Sequence, residues 1–120
     1  MKTLPLLSIL VLSLLVIPSA AQSQKSGARW DEIYQGSAVK VPVSPSTLVL
    51  ESTANLPPGQ ALDIGMGNGR NAVYLARKGW KVTGIDVSRE AIKQAQAQAA
   101  KVGATIEANV ARFEDIPPYN

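Results

Sequence analysis

The chain has 120 residues, twelve of them basic and nine acidic, for a formal charge of +3, and 46% of it is hydrophobic. That length accommodates one domain. The absence of both cysteine and histidine excludes disulfide stapling, thiolate or histidine-based nucleophilic catalysis, and nearly every familiar zinc site.

The N-terminus carries its positive charge at Met1-Lys2, followed by 14 almost wholly apolar residues from Leu4 to Ile17 and the small residues Ser19, Ala20 and Ala21. The apolar run is shorter than the roughly 20 residues of a membrane-spanning helix. The pattern is that of a secretory signal peptide over residues 1–21, with Ala21–Gln22 as the cleavage bond. Export to the periplasm or the medium is the expectation; left uncleaved, the segment would anchor the chain, and no further membrane span is expected. Cleavage leaves eleven basic and nine acidic residues, a charge of +2. These charges are scattered without a basic stripe, so no nucleic-acid partner is indicated.

Residues 22–28 are small and polar and are expected to form a linker. In "RWDEIYQG", residues 29–36, the spacing of Trp30, Ile33 and Tyr34 predicts a short helix with one apolar face. "VPVSPS", residues 41–46, is expected to be extended, with Ser46 capping a helix from Thr47 to Ala54. "NLPPGQ", residues 55–60, is a turn by its Pro-Pro-Gly content. From Ala61 onward short apolar strands alternate with helical patterns. "ALDIG", "WKVTGID" and "ATIEANV" read as strands. Between them, Ala72, Leu75 and Ala76 form one helical stripe that ends at Gly79. Ile92, Ala95, Ala99 and Val102 form another, capped by Ser88 and stopped by Gly103. "KQAQAQAAK" within it reads as alanine-rich helix surface. The alternation predicts an α/β fold with a parallel sheet.

The chemistry concentrates in "ALDIGMGNGR", residues 61–70, where Gly65, Gly67 and Gly69 follow a strand at alternate positions. A glycine-rich turn between strand and helix permits positive φ and close backbone approach, and the helix beyond it points free N–H groups at whatever lies over the turn. Asp86 stands at the end of the next strand, 21 residues after Gly65. A carboxylate there can accept from both hydroxyls of a ribose. The dinucleotide fingerprint needs a glycine at the sixth position from Gly65, which here is Arg70. A nicotinamide- or nucleotide-binding half-domain therefore remains an alternative in which Arg70 has to be tolerated, and a non-catalytic remnant is another.

The stretch "ALDIGMGNGRNAVYLARKGWKVTGIDVSREAI" resembles the first two motifs of the class I S-adenosylmethionine-dependent methyltransferases, and "GMGNGRN" with "NLPPGQ" is similar to small bacterial methyltransferase domains, including the tellurite-resistance type. The resemblance runs from about residue 29 to 118. It implies a Rossmann-like doubly wound sheet and S-adenosyl-L-methionine as cofactor. Gly65, Gly67 and Gly69 would cradle its methionine end and Asp63 would hold its amino group, directly or through water. Asp86 would take the ribose hydroxyls and Val87 would pack on the adenine. In similar enzymes the N-terminal helix folds over the cofactor, which makes Tyr34 a candidate contact beside the plainer reading of Trp30 and Tyr34 as packing on the sheet. The family's acidic residue after the third strand is replaced by Arg112, with Glu114 and Asp115 just beyond; a cation cannot accept a hydrogen bond from the adenine amino group. Three strands of the family's seven are expected here, so the domain reads as truncated before its fourth strand. On that reading the residues that bind the methyl acceptor, which in the family usually lie beyond the fourth strand, are expected to be missing here, and catalytic residues are not assigned.

Overall fold

The computed structural model of the chain describes residues 19–38 and 40–117. Its elements are α1 (Ser19–Gln35), α2 (Thr47–Thr53), β1 (Gln60–Ile64), α3 (Arg70–Arg77), β2 (Lys81–Asp86), α4 (Arg89–Lys101), β3 (Glu107–Val110) and a 3-10 turn at Phe113–Asp115. The apolar run of the expected leader falls at residues 1–18, outside the described ones.

The three strands form one parallel sheet in the order β1-β2-β3. The expected α/β class and partial Rossmann-like topology are present. Ala61 pairs with Val82 and Ile64 with Ile85, while Gly84 pairs with Ala108 and Asp86 with Val110. Side chains alternate across a strand, so Ala61, Val82 and Ala108 share one face. There they pack against a core of Met66, Ala72, Leu75, Ile92 and Ala95 from the glycine loop, α3 and α4. Burying a side chain the size of Leu75 or Ile92 is worth about 1.5–3 kcal/mol, and these two are the largest apolar groups that the helices contribute to that core. On the opposite face Leu62 and Ile64 of β1 stay 43% and 48% exposed. Among the described residues, β1 has a strand partner on one side only.

The helices start and stop where side-chain chemistry directs. Ser46 and Ser88 accept from the N–H groups of Val49 and Ala91 at 3.3 and 3.0 Å, which satisfies one free donor at the head of α2 and of α4. Gly79 and Gly103 lie just past the ends of α3 and α4 at φ +91° and +66°, the left-handed conformation that closes a helix.

Two expectations are corrected. Residues 22–28 are not an irregular linker: they continue α1, which runs from Ser19 through the expected cleavage bond Ala21–Gln22. The segment, Gln-Ser-Gln-Lys-Ser-Gly-Ala, lacks an apolar stripe and has no proline; its poorest helix former, Gly27, is buried and stands close to the Val87 carbonyl, where a side chain would not fit. The alanine-rich stretch of α4 is not only surface. Ala91, Ala95 and Ala99 are buried, and the smallness of Ala95 lets α4 approach the glycine loop.

That approach is tight at Gly69. Its φ is +81°, and a Cβ placed on it would lie 2.8 Å from the Cβ of Ala95. Gly69→Ala is expected to lower stability by about 1–2 kcal/mol from the left-handed backbone alone, with the overlap on Ala95 adding to that loss. Urea unfolding checks it; an unchanged midpoint would mean that neither the left-handed backbone at Gly69 nor its close approach to Ala95 constrains the fold.

Candidate functional site

The loop leaving β1 is built around Gly65, Gly67 and Gly69, all at positive φ (+69°, +57° and +81°). Between them, Met66 turns inward: its side chain is buried over Gly84 of β2, where a Cβ would collide with the thioether, and its N–H donates to the Ile85 carbonyl at 2.9 Å. The loop is thereby fastened to β2, and its backbone faces outward across the strand ends.

Asp86, the last residue of β2, is the electrostatic centre of this region. Its Oδ2 accepts from the Gly67 N–H and its Oδ1 from the Ser88 N–H, each at 2.9 Å. Each oxygen makes one protein hydrogen bond on a fixed axis, and a carboxylate has further acceptor capacity on both. The carboxylate borders a cavity of about 490 Å³ at the carboxyl ends of the strands, lined also by Ile64, Gly65, Ile85 and Val87. In open parallel sheets, that is where ligands bind.

The cavity has a roof and a far wall. The roof is α1, which contributes Gln22, Ser23, Ser26, Trp30 and Tyr34. Trp30 and Tyr34 therefore face the cavity. The Tyr34 hydroxyl stands over Gly67, in the space a Cβ on that residue would need. Burial, and next the nearby Asp86 charge, push the Tyr34 hydroxyl above its ordinary value, so at neutral pH it is a proton-bearing donor. The far wall is Ala111, Arg112, Phe113 and Glu114. Arg112 pairs with Glu114 at 3.1 Å, and its N–H donates to Asp115. The cation sits where the sequence placed it, with a carboxylate beside it.

Of the expected site residues, Gly65, Asp86 and Val87 line the cavity directly, while Gly67 is reached through Tyr34 and Asp86, and Gly69 serves the contact between α3 and α4. Asp63 lies outside the lining. Its side chain is on the helix-covered face of β1, and its Oδ2 is buried without a hydrogen-bond partner. Burial raises the Asp63 carboxyl above the usual carboxylate range, opposed by a hydrogen bond from the Ala72 N–H and reinforced by the Asp86 charge.

Three polar side chains at the end of the loop and the start of α3 have roles that the sequence did not reveal. Asn68 is buried and donates to the Pro42 carbonyl at 2.9 Å; Arg70 donates to the Ser44 carbonyl at 3.3 Å; Asn71 accepts from the Ser46 N–H at 2.9 Å. Together they strap the proline-containing segment 42–46 to the head of α3. Arg70 does not crowd the sheet, because its guanidinium is turned outward to this strap. Asp31 of α1 is a fourth: its Oδ1 accepts from the Ser88 hydroxyl and the Glu90 N–H. Those bonds, the hydroxyl's first, hold its carboxyl below the usual range.

A family profile described as a methyltransferase domain matches residues 61–120. The release factor glutamine methyltransferase of Koribacter versatilis is 37% identical over 79 residues, covering 61% of this chain and 28% of the relative. A structure solved in work on the conversion of a disulfide bond into a thioacetal group during echinomycin biosynthesis shares 31% identity at a TM-score of 0.61, over 72% of this chain and 39% of the other. The S-adenosylmethionine-dependent methyltransferase of Geobacter sulfurreducens, solved with S-adenosyl-L-homocysteine, shares 28% at 0.53, over 69% of this chain and 36% of that one. The chain matches between 14% and 29% of the length of its curated relatives.

The isolated Asp63 oxygen makes a prediction. A carboxyl whose value is raised on folding binds protons more tightly in the native state, so stability falls as pH rises from about 4, the unfolded value. Asp63→Asn keeps an acceptor for the Ala72 N–H and removes the titration. It is expected to raise stability at pH 7 and flatten the fall between pH 4 and 7. Thermal melts across that range check it; an equal or lower melting point at pH 7 would mean that Asp63 is better solvated than its burial implies.

Proposed function

The chain belongs to the S-adenosylmethionine-dependent methyltransferase family, and on that premise we propose that it forms the cofactor-binding portion of an enzyme moving a methyl group from a sulfonium to an acceptor nucleophile. The observation that carries this reading is the Asp86 carboxylate, fixed by two backbone N–H groups at the rim of the cavity. A vicinal diol is a double donor suited to such an acceptor.

The residues present fit the cofactor. Asp86 would take the ribose hydroxyls, with Val87 beside it against the adenine. The loop backbone at Gly65 and Gly67, with the Tyr34 hydroxyl over it, would hold the methionine end. The Oδ2 of Asp63, one residue before the end of β1, is buried without a partner, and an ammonium group, directly or through water, would complete it. Arg112 with Glu114 would border the nucleobase end, Glu114 being the acceptor where the family's acid is shifted. When bound, the cofactor supplies the electrophilic methyl group. The chain's own part is to position it and exclude water, and fixed geometry supplies much of the rate in such transfers. The lack of histidine and cysteine is compatible with that division of labour.

Calorimetric titration of the chain with S-adenosyl-L-homocysteine and, separately, with NAD tests the proposal. Binding of the first and not the second is expected; the reverse would favour a dinucleotide site. Asp86→Ala should weaken S-adenosyl-L-homocysteine at least tenfold, since a hydrogen bond to a charged group is worth about 1.5–3 kcal/mol. Equal affinity in a folded variant would remove Asp86 from the ribose.

Export belongs to the same proposal, supported by the charge, apolar run and small residues of the first 21 positions. Expressed in a bacterial host, the chain is expected outside the cytoplasm with Gln22 at its N-terminus. Edman sequencing that finds the leader intact on a cytoplasmic product would refute it.

A further inference from the structure

We propose that Asp31 is a positioning residue for cofactor binding: it seats α1 on the head of α4, and that seating places Trp30 and Tyr34 over the cavity. The inference rests on the cofactor reading above, and it concerns a residue that does not itself line the cavity.

Three residues along one stripe of α1, at i, i+4 and i+7, touch the β2–α4 turn and α4. Gly27 comes close enough to the Val87 carbonyl that a Cβ would stand 2.8 Å from its oxygen. Asp31 accepts from the Ser88 hydroxyl at 2.5 Å and from the Glu90 N–H at 3.0 Å. The backbone carbonyl of Tyr34 accepts from the Gln94 side chain at 2.8 Å. The neighbouring stripe of α1, through Ser26, Trp30 and Tyr34, lines the cavity. One helix thus has one face bolted down and the adjacent face roofing the ligand space.

Among α1 residues 20–35, Gly27 alone is buried. Little apolar area holds the helix, so its place depends on its polar bonds. Asp31 makes two of them, in the most favourable place for an anion: the first turn of α4, where free N–H groups and the positive end of the helix dipole converge. Ser88 links this point to the site. Its hydroxyl is donated to Asp31 while accepting from the Ala91 N–H, and its own N–H is donated to Asp86. Losing Asp31 therefore releases the roof and leaves the three-strand core standing, the kind of local opening that segments with few buried contacts undergo.

The experiment compares wild type, Asp31→Ala and Asp31→Asn, with Glu32→Ala on the exposed side of α1 as control. Two readouts are taken: amide hydrogen exchange over residues 20–35 without ligand, and S-adenosyl-L-homocysteine affinity and off-rate. Asp31→Ala is expected to speed exchange in α1 at least tenfold while exchange in β1 and β2 holds, and to weaken binding at least tenfold, mainly through a faster off-rate. Asp31→Asn keeps one acceptor oxygen and should recover part of both; it also carries the comparison if the alanine variant does not fold. A variant with lowered thermal stability but wild-type α1 exchange and affinity would overturn the proposal and leave Asp31 as a plain helix cap. A wild type that binds no S-adenosyl-L-homocysteine would overturn the cofactor reading and the positioning role with it, whereas wild-type binding with unchanged affinity in both variants defeats the positioning role alone.

Discussion

One hydrogen bond, from the Gly67 N–H to Asp86 Oδ2, ties the loop after β1 to the end of β2, and the site depends on it. A loop with three residues at positive φ has many shapes open to it, because glycine restricts the backbone least. Here the carboxylate selects one of them. Met66 assists from below through its bond to Ile85 and its packing on Gly84. The same carboxylate fixes the turn into α4 through the Ser88 N–H. A group that orders two backbone turns and still has acceptor capacity left is well prepared to receive a ligand, because its own orientation no longer has to be fixed when the ligand arrives.

The small residues around this bond carry the geometry. Gly69 is pressed against Ala95, so α3 and α4 converge at the head of the loop, not further along. That placement explains why arginine is tolerated at position 70: the close approach is made one residue earlier. Arg70 is free to reach the Ser44 carbonyl, alongside the bonds from Asn68 and Asn71 to the same upstream segment. Those three side chains share the task of holding a proline-containing segment that has no ladder of its own.

What could be read from the sequence follows the range of the forces involved. The three strands, the caps at Ser46 and Ser88, the stops at Gly79 and Gly103, and the pairing of a glycine loop with a distant Asp86 all have local signatures in residue type and spacing. The length of α1 had none, because residues 22–28 carry no apolar stripe. The roles of Asp31, Asn68 and Asn71 were equally hidden, since their partners lie between 25 and 59 residues away and a polar side chain gives no hint of direction. "KQAQAQAAK" shows the converse: alanine looks like filler in a sequence, yet Ala95 is where two elements meet because nothing larger would fit.

Electrostatics adds an argument about the ligand's charge that motif spacing cannot make. Two carboxylates, Asp63 and Asp86, lie near the glycine loop, close enough that the Asp86 charge adds to the cost that burial sets on ionising Asp63, and one Asp63 oxygen is buried without a partner. Left alone, that arrangement draws protons toward Asp63. A dinucleotide would bring a pyrophosphate to the same loop and add a third negative group to a site that already resists two. A ligand with an ammonium and a sulfonium at that end, and a diol at the other, meets both carboxylates with complementary groups. The partial positive charge at the head of α3 can take the ligand's carboxylate. The glycine loop alone would admit either class of ligand; on the cofactor reading proposed above, the buried Asp63 carboxyl would favour the cation.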